Sequence, residues 1–308
     1  MKVLVIGGCG FIGSHVVDSL LSRNHEVRVF DRQPERFRPA LAGVDYLFGD
    51  FADRMAMIEA LTGVDAVMHL VSTTFPGTAD LDPRTDVIDN LGGTLSLLDI
   101  MTNLKIPKIV FLSSGGTVYG VPDTVPMPES HPLRPINSYG IVKCAIEHYL
   151  AMYQRTRGVA SVSIRASNPY GPRQGHSGVQ GVISTFLNRA FSGEKVEIWG
   201  DGSVIRDYLH VTDLADLCVL ALSSDKTGPY NAGSGVGTSI NEIVEVIGSV
   251  TGVPLEPVYK AARSVDVQRS VLDVSKAKVD LGWSCKVSLR DGISDSYEWL
   301  KNWKSRQG

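Results

Sequence analysis

The 308-residue chain predicts an α/β fold: a doubly wound parallel sheet joined to a smaller mixed α/β C-terminal domain. Three observations carry this expectation. Short β-branched apolar runs alternate with helical stretches up to about residue 167. The first of these runs, "KVLVI" at 2–6, is apolar at nearly every position, as in a strand covered on both faces. A glycine-rich turn follows it at once and opens a helix.

Taken in order, the strands are 2–6, "HEVRVFD" (25–31), "VDYLFGD" (44–50), "VDAVMHLVS" (64–72), "IPKIVFLSS" (106–114) and "VASVSIRAS" (159–167). Helical patterns separate them at 11–22, about 53–62, 84–103 and 137–157. The texture changes after Asn168, where "NPYGPRQGHSGVQG" is rich in Gly and Pro, as a binding loop is. A helix at about 181–192, the short strands "KVEIWG" and "VIRDYLHV", and a helix at 212–224 follow. The last eighty or so residues mix helices with short strands. The boundaries are interleaved: 1–167 with about 210–232 form the first domain, and 168–209 with 233–308 the second.

Composition narrows the function classes. Net charge is -3, with no basic stripe of the kind nucleic acid needs. The four cysteines (Cys9, Cys144, Cys218, Cys285) are far apart and form no C-x-x-C, which fits reduced thiols in the cytoplasm and gives no metal site. No apolar run reaches the length of about 18 residues that a membrane helix needs. The N-terminal "MKVLVIGG" reads as a strand, not a signal segment.

"GGCGFIGSH" sets Gly7, Gly10 and Gly13 in a G-x-x-G-x-x-G pattern between a strand and a helix. Glycines there allow a tight turn and close approach of a pyrophosphate to the helix N-terminus, so the first domain is Rossmann-type. Asp31 ends the second strand where an acid holds a ribose 2′-hydroxyl, and it repels a 2′-phosphate, which favours NAD over NADP. Arg32, next to it, works the other way. Asp50 follows the third strand, placed to meet the adenine amine. Residues that follow other strands complete the candidate cofactor set: Phe11 and Ile12 in the glycine turn, Phe51, Leu70 and Ser72, and Ser113. His69, with no partner in sequence, reads as a buried structural histidine.

"SYGIVK" spaces Tyr139 and Lys143 one helical turn apart, on one face. A phenol is a poor base at neutral pH. A nearby ammonium and a positive nicotinamide both favour its phenolate, which then takes a hydroxyl proton as hydride leaves. Tyr139 and Lys143 therefore belong to both the catalytic and the cofactor sets.

With these motifs stand "NLGGT", "SSGGTVYG", "SNPYGPRQ", "IRDYLHVTDLAD", "YNAGSG" and "LDVSKAKVDLGW". Together they resemble the extended short-chain dehydrogenase/reductase family, in its nucleotide-sugar epimerase/dehydratase group, from end to end. The resemblance implies NAD as cofactor and 4-epimerisation of a nucleotide-diphosphate sugar, UDP-linked glucose/galactose or their N-acetylamino counterparts, by way of a 4-keto sugar. It places Asn90 near the cofactor. It puts Asn168, Arg206 and Arg263 on the diphosphate, Asp266 on the ribose, and Trp199 and Gln180 beside the base. It sets Ser270 beside the sugar's C2 substituent, where a small side chain leaves room for an N-acetyl group. It also implies a homodimer formed through the helices at 84–103 and 137–157. In "SSGGTVYG" Gly115 stands where relatives carry a catalytic serine, which leaves Thr117, or else Ser114, to supply the hydroxyl. A 4-keto-sugar reductase consuming NAD(P)H shares the same residues. A 4,6-dehydratase needs Asp-Glu where this chain has Gly116 and Thr117. A non-catalytic NAD-binding protein on this fold is the remaining reading.

Overall fold

The computed structural model describes residues 1–74, 76–175, 181–261 and 267–306. β1 (Lys2–Ile6), β2 (Glu26–Asp31), β3 (Val44–Phe48), β4 (Ala66–His69), β5 (Lys108–Ser114) and β6 (Ala160–Ala166) are the six expected strands, trimmed at their ends. Between them lie α1 (Phe11–Ser22), α2 (Arg54–Leu61), the one-turn α3 (Pro76–Ala79) and α4 (Pro83–Asp86), α5 (Gly93–Asn103) and α6 (Ser138–Arg157). Then come β7 (Asn168–Tyr170), α7 (Val182–Ser192), β8 (Val196–Trp199), β9 (Ile205–His210), α8 (Val211–Ser223), β10 (Gly228–Ala232), β11 (Gly237–Ser239) and α9 (Ile240–Thr251). The chain closes with β12 (Pro257–Lys260), β13 (Arg269–Ser270), α10 (Ser275–Leu281) and α11 (Leu289–Ser305).

The main sheet has seven strands in the order β10-β6-β5-β4-β1-β2-β3. Every neighbouring pair in it is parallel. β1 shows why such strands are apolar throughout. Val3 and Val5 enter the core that α1 and α8 cover, while Leu4 and Ile6 enter the core under α2, α5 and α6. Successive side chains point to opposite faces, and both faces are dry. The strand order reverses between β1 and β4, so a crevice opens there beyond the carboxyl ends.

The helix expected at 84–103 is helical throughout, as α4, a π-helical turn at Val87–Gly92 and α5 without a gap. The Phe51 ring fills the space beside Gly93, where a Cβ would stand 2.5 Å from it. Asn90 faces inward, bonded to Thr73 and Thr74. Such π turns concentrate at functional sites.

The chain crosses between the two layers. β10 pairs with β6 at the edge of the main sheet, and α8 packs on α1, with Ser19 Oγ donating to Asp216 at 3.0 Å. The remaining C-terminal elements build a small sheet, β11-β9-β13 with β7 on β9, and a β12–β8 pair. Their separate core contains Phe186, Leu187, Ile243, Ile247, Ile293 and Leu300. Among the described residues no helix is long and apolar enough to cross a membrane.

Candidate active site

The glycine turn after β1 is a backbone cradle. Gly7 has φ +83°, and its N–H donates to Phe30 O at 2.8 Å. A Cβ on Gly13 would lie 2.0 Å from Gly7 O, so the helix and turn are in contact at the distance only glycine allows. No side chain caps α1, and its first turn carries no acid. Its N–H groups and dipole are left for an anion. Replacing Gly13 with Ala is expected to cost about 3 kcal/mol or more, because the collision is with backbone. The variant should emerge from gel filtration without bound dinucleotide and melt early; a wild-type melting curve with full dinucleotide content would contradict this.

Asp31 ends β2 beside the cradle, its carboxylate accepting the Cys9 N–H at 2.9 Å and the Arg32 N–H at 2.7 Å. Arg32 pairs with Asp50 at 3.0 Å on the surface. The Ala52 N–H, then Arg32, holds the Asp50 carboxyl below the usual carboxylate range.

Two residues of the expected cofactor set have side chains turned elsewhere. Ser113 Oγ donates to Glu147 at 2.5 Å and is buried. Phe51 is also buried, packed on Gly93 and on the His69 ring at 5.1 Å between centroids. Leu70 and Ser72 lie beyond the end of β4, with Ser72 Oγ donating to Thr74 O at 2.8 Å. Asn90 braces this loop: its Oδ1 accepts the Thr73 N–H at 2.9 Å. His69 bonds Thr94 Oγ1 at 2.8 Å, and burial, with Lys143 nearby, pushes it down to about 3. It is the neutral structural histidine expected.

Tyr139 and Lys143 project from the first turns of α6. Asn137 Oδ1 accepts the Gly140 N–H at 2.8 Å and Asp80 accepts the Ser138 N–H at 2.8 Å, so the catalytic turn is pinned at its start. Lys143 is 4% exposed, donates to Leu112 O at 2.9 Å, and lies 5.3 Å from the Tyr139 ring centroid. Burial pushes Lys143 down to about 8, against Asp86 and Glu147. Burial, then Asp86, pushes Tyr139 up to about 12. Burial and Asp86 thus oppose the phenolate, and a positive charge beside the phenol would favour it.

In the stretch 111–120 the strand ends at Ser114 and residues 115–117 form a turn, so strand alternation does not carry past Ser114. Ser113 points to Glu147, Ser114 lines the cleft, and position 115 points back into the protein. A Cβ on Gly115 would lie 2.6 Å from Leu272 and 2.9 Å from Arg165 O. A serine there would need Leu272 and the Arg165 carbonyl to give way. Gly116 has open space on its free side. Thr117 lines the cleft, and its Oγ1 is buried with no partner among the described residues.

That cleft has a volume of about 650 Å³ and runs from Phe11, Ser114 and Tyr139 to Trp199, Arg206 and Tyr208 in the small domain. It is the size of a ligand site. Asn168 opens β7 and donates to Asp207 O at 2.9 Å. Arg206 Nη1 donates to Ile205 O at 2.9 Å and Val267 O at 2.6 Å, which fixes its direction. Ser270 stands opposite Arg206 in the parallel β13–β9 ladder, on the same face. Trp199 ends β8, 47% exposed. Gln180, Arg263 and Asp266 lie outside the described residues.

Sequence reasoning missed three residues here. Gln174, inside "SNPYGPRQ", lines the cleft and buries an unpartnered Oε1. Asp86 is a fully buried carboxylate next to the catalytic turn. Asp207, inside "IRDYLHV", is buried and receives the N–H groups of Ser234, Gly235 and Leu272, which explains that motif and "YNAGSG" as one brace. The sequence signals this only for Asp207, a charged residue in the buried strand β9.

A dinucleotide cradle at the sheet's switch point, with a Tyr–Lys pair facing a second cleft, defines an extended short-chain dehydrogenase/reductase. The chain belongs to the NAD dependent epimerase/dehydratase family, whose profile matches residues 3–233. It is 34% identical to the UDP-glucose 4-epimerase of Mycolicibacterium smegmatis, over 98% of this chain and 99% of the relative. Among solved structures it is similar to the UDP-glucose 4-epimerase of Thermotoga maritima with UDP-glucose: 36% identity, TM-score 0.94, covering 98% of this chain and 99% of that one. It is also similar to the UDP-N-acetylglucosamine 4-epimerase of Methanobrevibacter ruminantium in complex with UDP-N-acetylmuramic acid, at 28% identity and TM-score 0.92 over 98% of each chain.

Proposed function

We propose that this enzyme is an NAD-dependent nucleotide-sugar 4-epimerase that inverts C4 of a UDP-hexose. The observation that carries the reading is Tyr139, over the buried Lys143, facing a cleft of about 650 Å³ directly beside the dinucleotide cradle. The residues present fit NAD: the uncapped α1 N-terminus and the Gly7–Gly13 contact suit a pyrophosphate, and Asp31 a ribose hydroxyl. Bound NAD supplies reversible hydride transfer at the nicotinamide, and its positive ring supplies a charge that favours the phenolate.

Tyr139 takes the proton of the C4 hydroxyl and returns one to the 4-keto sugar from its opposite face. Asn168 and Arg206 hold the diphosphate, with Arg263 and Asp266 as the further contacts implied by resemblance. Trp199 borders the base, with Gln180 as a further contact implied by resemblance. Planar guanidinium groups suit phosphate oxygens. The open side of Gly116 leaves the sugar room to turn while its nucleotide stays fixed. Gln174 Oε1 is a ready acceptor for a sugar hydroxyl. Because cofactor is regenerated each turnover, purified enzyme should interconvert UDP-glucose and UDP-galactose with no added reductant. Stoichiometric consumption of reduced cofactor would replace this reading with a 4-keto reductase. The small Ser270, on the Arg206 face, leaves volume for an N-acetyl group. UDP-GlcNAc turnover should accompany UDP-glucose turnover and fall in Ser270→Tyr; indifference to the N-acetylated pair refutes it.

Thr117 is the second hydroxyl of the site. Its Oγ1 is buried without a partner, as a donor awaiting substrate would be. Thr117→Val should lower kcat about tenfold, the value of one hydrogen bond to the reacting oxygen. Ser114→Ala should lose less; the reverse order assigns the role to Ser114.

The active species is a homodimer through the α5–α6 face. Ile141 and Ile88 are 55% and 57% exposed, and Tyr149 and Met152 extend the same α6 surface. A monomer by sedimentation at micromolar concentration would exclude it.

A further inference from the structure

Asp86 is the one fully buried carboxylate beside the catalytic turn, at 0% exposure. It receives three neutral donors: Thr74 Oγ1 at 2.7 Å, Asn90 Nδ2 at 2.9 Å and Ser138 Oγ at 2.8 Å. Among the described residues no lysine or arginine forms an ion pair with it. A carboxylate is buried this way only when its charge or its bonds are used, because desolvation opposes it. Its three donors belong to three different segments. Thr74 lies on the loop after β4, Asn90 on the π turn, and Ser138 immediately before Tyr139.

We propose that Asp86 is a positioning residue that ties the start of the catalytic helix to the loop after β4 and supplies the negative charge against which Tyr139 exchanges its proton. The π turn keeps Asp86 and Asn90 together on the buried side, and Asn90 carries the tie on to the Thr73 N–H at 2.9 Å. The loop after β4 and the phenol thus move as one body.

The charges around the pair are few. Asp86 faces Tyr139 and Lys143 from α4, and Glu147 faces Lys143 from α6. Arg165 on β6 neutralises Glu147 at 2.6 Å. His69 on β4 is neutral, and Asp80 reaches only the Ser138 N–H. Among the described residues Asp86 is the acid whose charge, after burial, raises the Tyr139 phenol. It opposes the phenolate and supports the Lys143 ammonium, so it keeps the proton on tyrosine until the nicotinamide charge is added.

The proposal rests on Tyr139 as the proton carrier of the epimerase, and its test includes a readout independent of turnover. Asp86→Asn keeps the size and removes the charge. In NAD-loaded enzyme labelled with 13C at tyrosine Cζ, with the Tyr139 resonance assigned by its loss in Tyr139→Phe, the Tyr139 titration should move to lower pH by about one pH unit. The acid limb of kcat should move down with it, and kcat at its optimum should fall about tenfold, with KM little changed. Ser138→Ala removes one tie and keeps the charge. It should lower kcat with the titration unmoved, and it serves even if Asp86→Asn does not fold. An unmoved Tyr139 resonance in folded Asp86→Asn, or unchanged kcat in Ser138→Ala, overturns the proposal. Absence of epimerisation with a shifted resonance would instead refute the epimerase reading alone.

Discussion

Tyr139→Phe should lower kcat by about three orders of magnitude while leaving the protein folded and NAD bound, the loss expected when a general acid–base is removed. The substitution takes away one oxygen. It leaves the ring over Lys143, and Lys143 keeps its bond to Leu112 O at 2.9 Å. The cradle at Gly7, Gly10 and Gly13 is untouched, as are Asp31 and its contacts to Cys9 and Arg32. The loss should therefore appear in kcat and hardly in the amount of NAD carried through gel filtration. Measuring both on one preparation separates chemistry from binding. A kcat within tenfold of wild type would mean that Thr117, Ser114 or water carries the proton, and Tyr139 would lose its assignment.

Arg165→Leu should be the most destabilising of the substitutions considered, at about 3–5 kcal/mol, because it strands a buried acid. Arg165 is 4% exposed on β6 and binds Glu147 through two nitrogens, Nε at 3.1 Å and Nη2 at 2.6 Å. Its Nη1 donates to Tyr119 Oη at 2.9 Å and to Glu129 O at 3.2 Å. Tyr119 in turn donates to Asn231 Oδ1 at 2.6 Å, and Asn231 Nδ2 reaches Met127 O at 2.9 Å. One guanidinium thus joins β6, α6, the segment around Met127 and, through Asn231, the edge strand β10. Burial alone would lower the Arg165 pKa; the Glu147 hydrogen bonds overcome it and raise it. With leucine, Glu147 keeps only the Ser113 hydroxyl. The melting temperature should fall about 5–8 °C, from the unfolding entropy of a chain this size. The double variant Arg165→Leu with Glu147→Leu should recover part of the loss, since no charge is then left alone. If the single variant melts with wild type, the network contributes no net stability.

Much of the site was legible because its chemistry is local. The glycine spacing, Asp31 two elements later, and Tyr139 one turn before Lys143 are fixed by strand and helix geometry that neighbours in sequence impose. Six of the seven parallel strands follow from their β-branched apolar runs; β10 was not expected as a strand. "GPYNA" has a Gly and a Pro and is recruited by the edge of β6.

The illegible parts share one cause: a side chain's direction depends on what packs against it from far along the chain. Ser113 was expected on the cofactor, but Glu147, a buried acid 34 residues away, claims its hydroxyl. Gly115 reads as a missing hydroxyl, and what stands beside it, Leu272 from the far end of the chain and the Arg165 carbonyl, is set by the fold. The helix expected at 84–103 carries a π turn at Val87–Gly92 that its sequence pattern did not announce. The sequence by itself determined six of the strands, the cradle and the Tyr–Lys pair, since each is written in residues within a few positions of one another. Which hydroxyls face the cleft, and where the buried charges Asp86, Glu147 and Arg165 meet, was decided by tertiary structure, because burial and partner geometry exist only once distant segments have closed on each other.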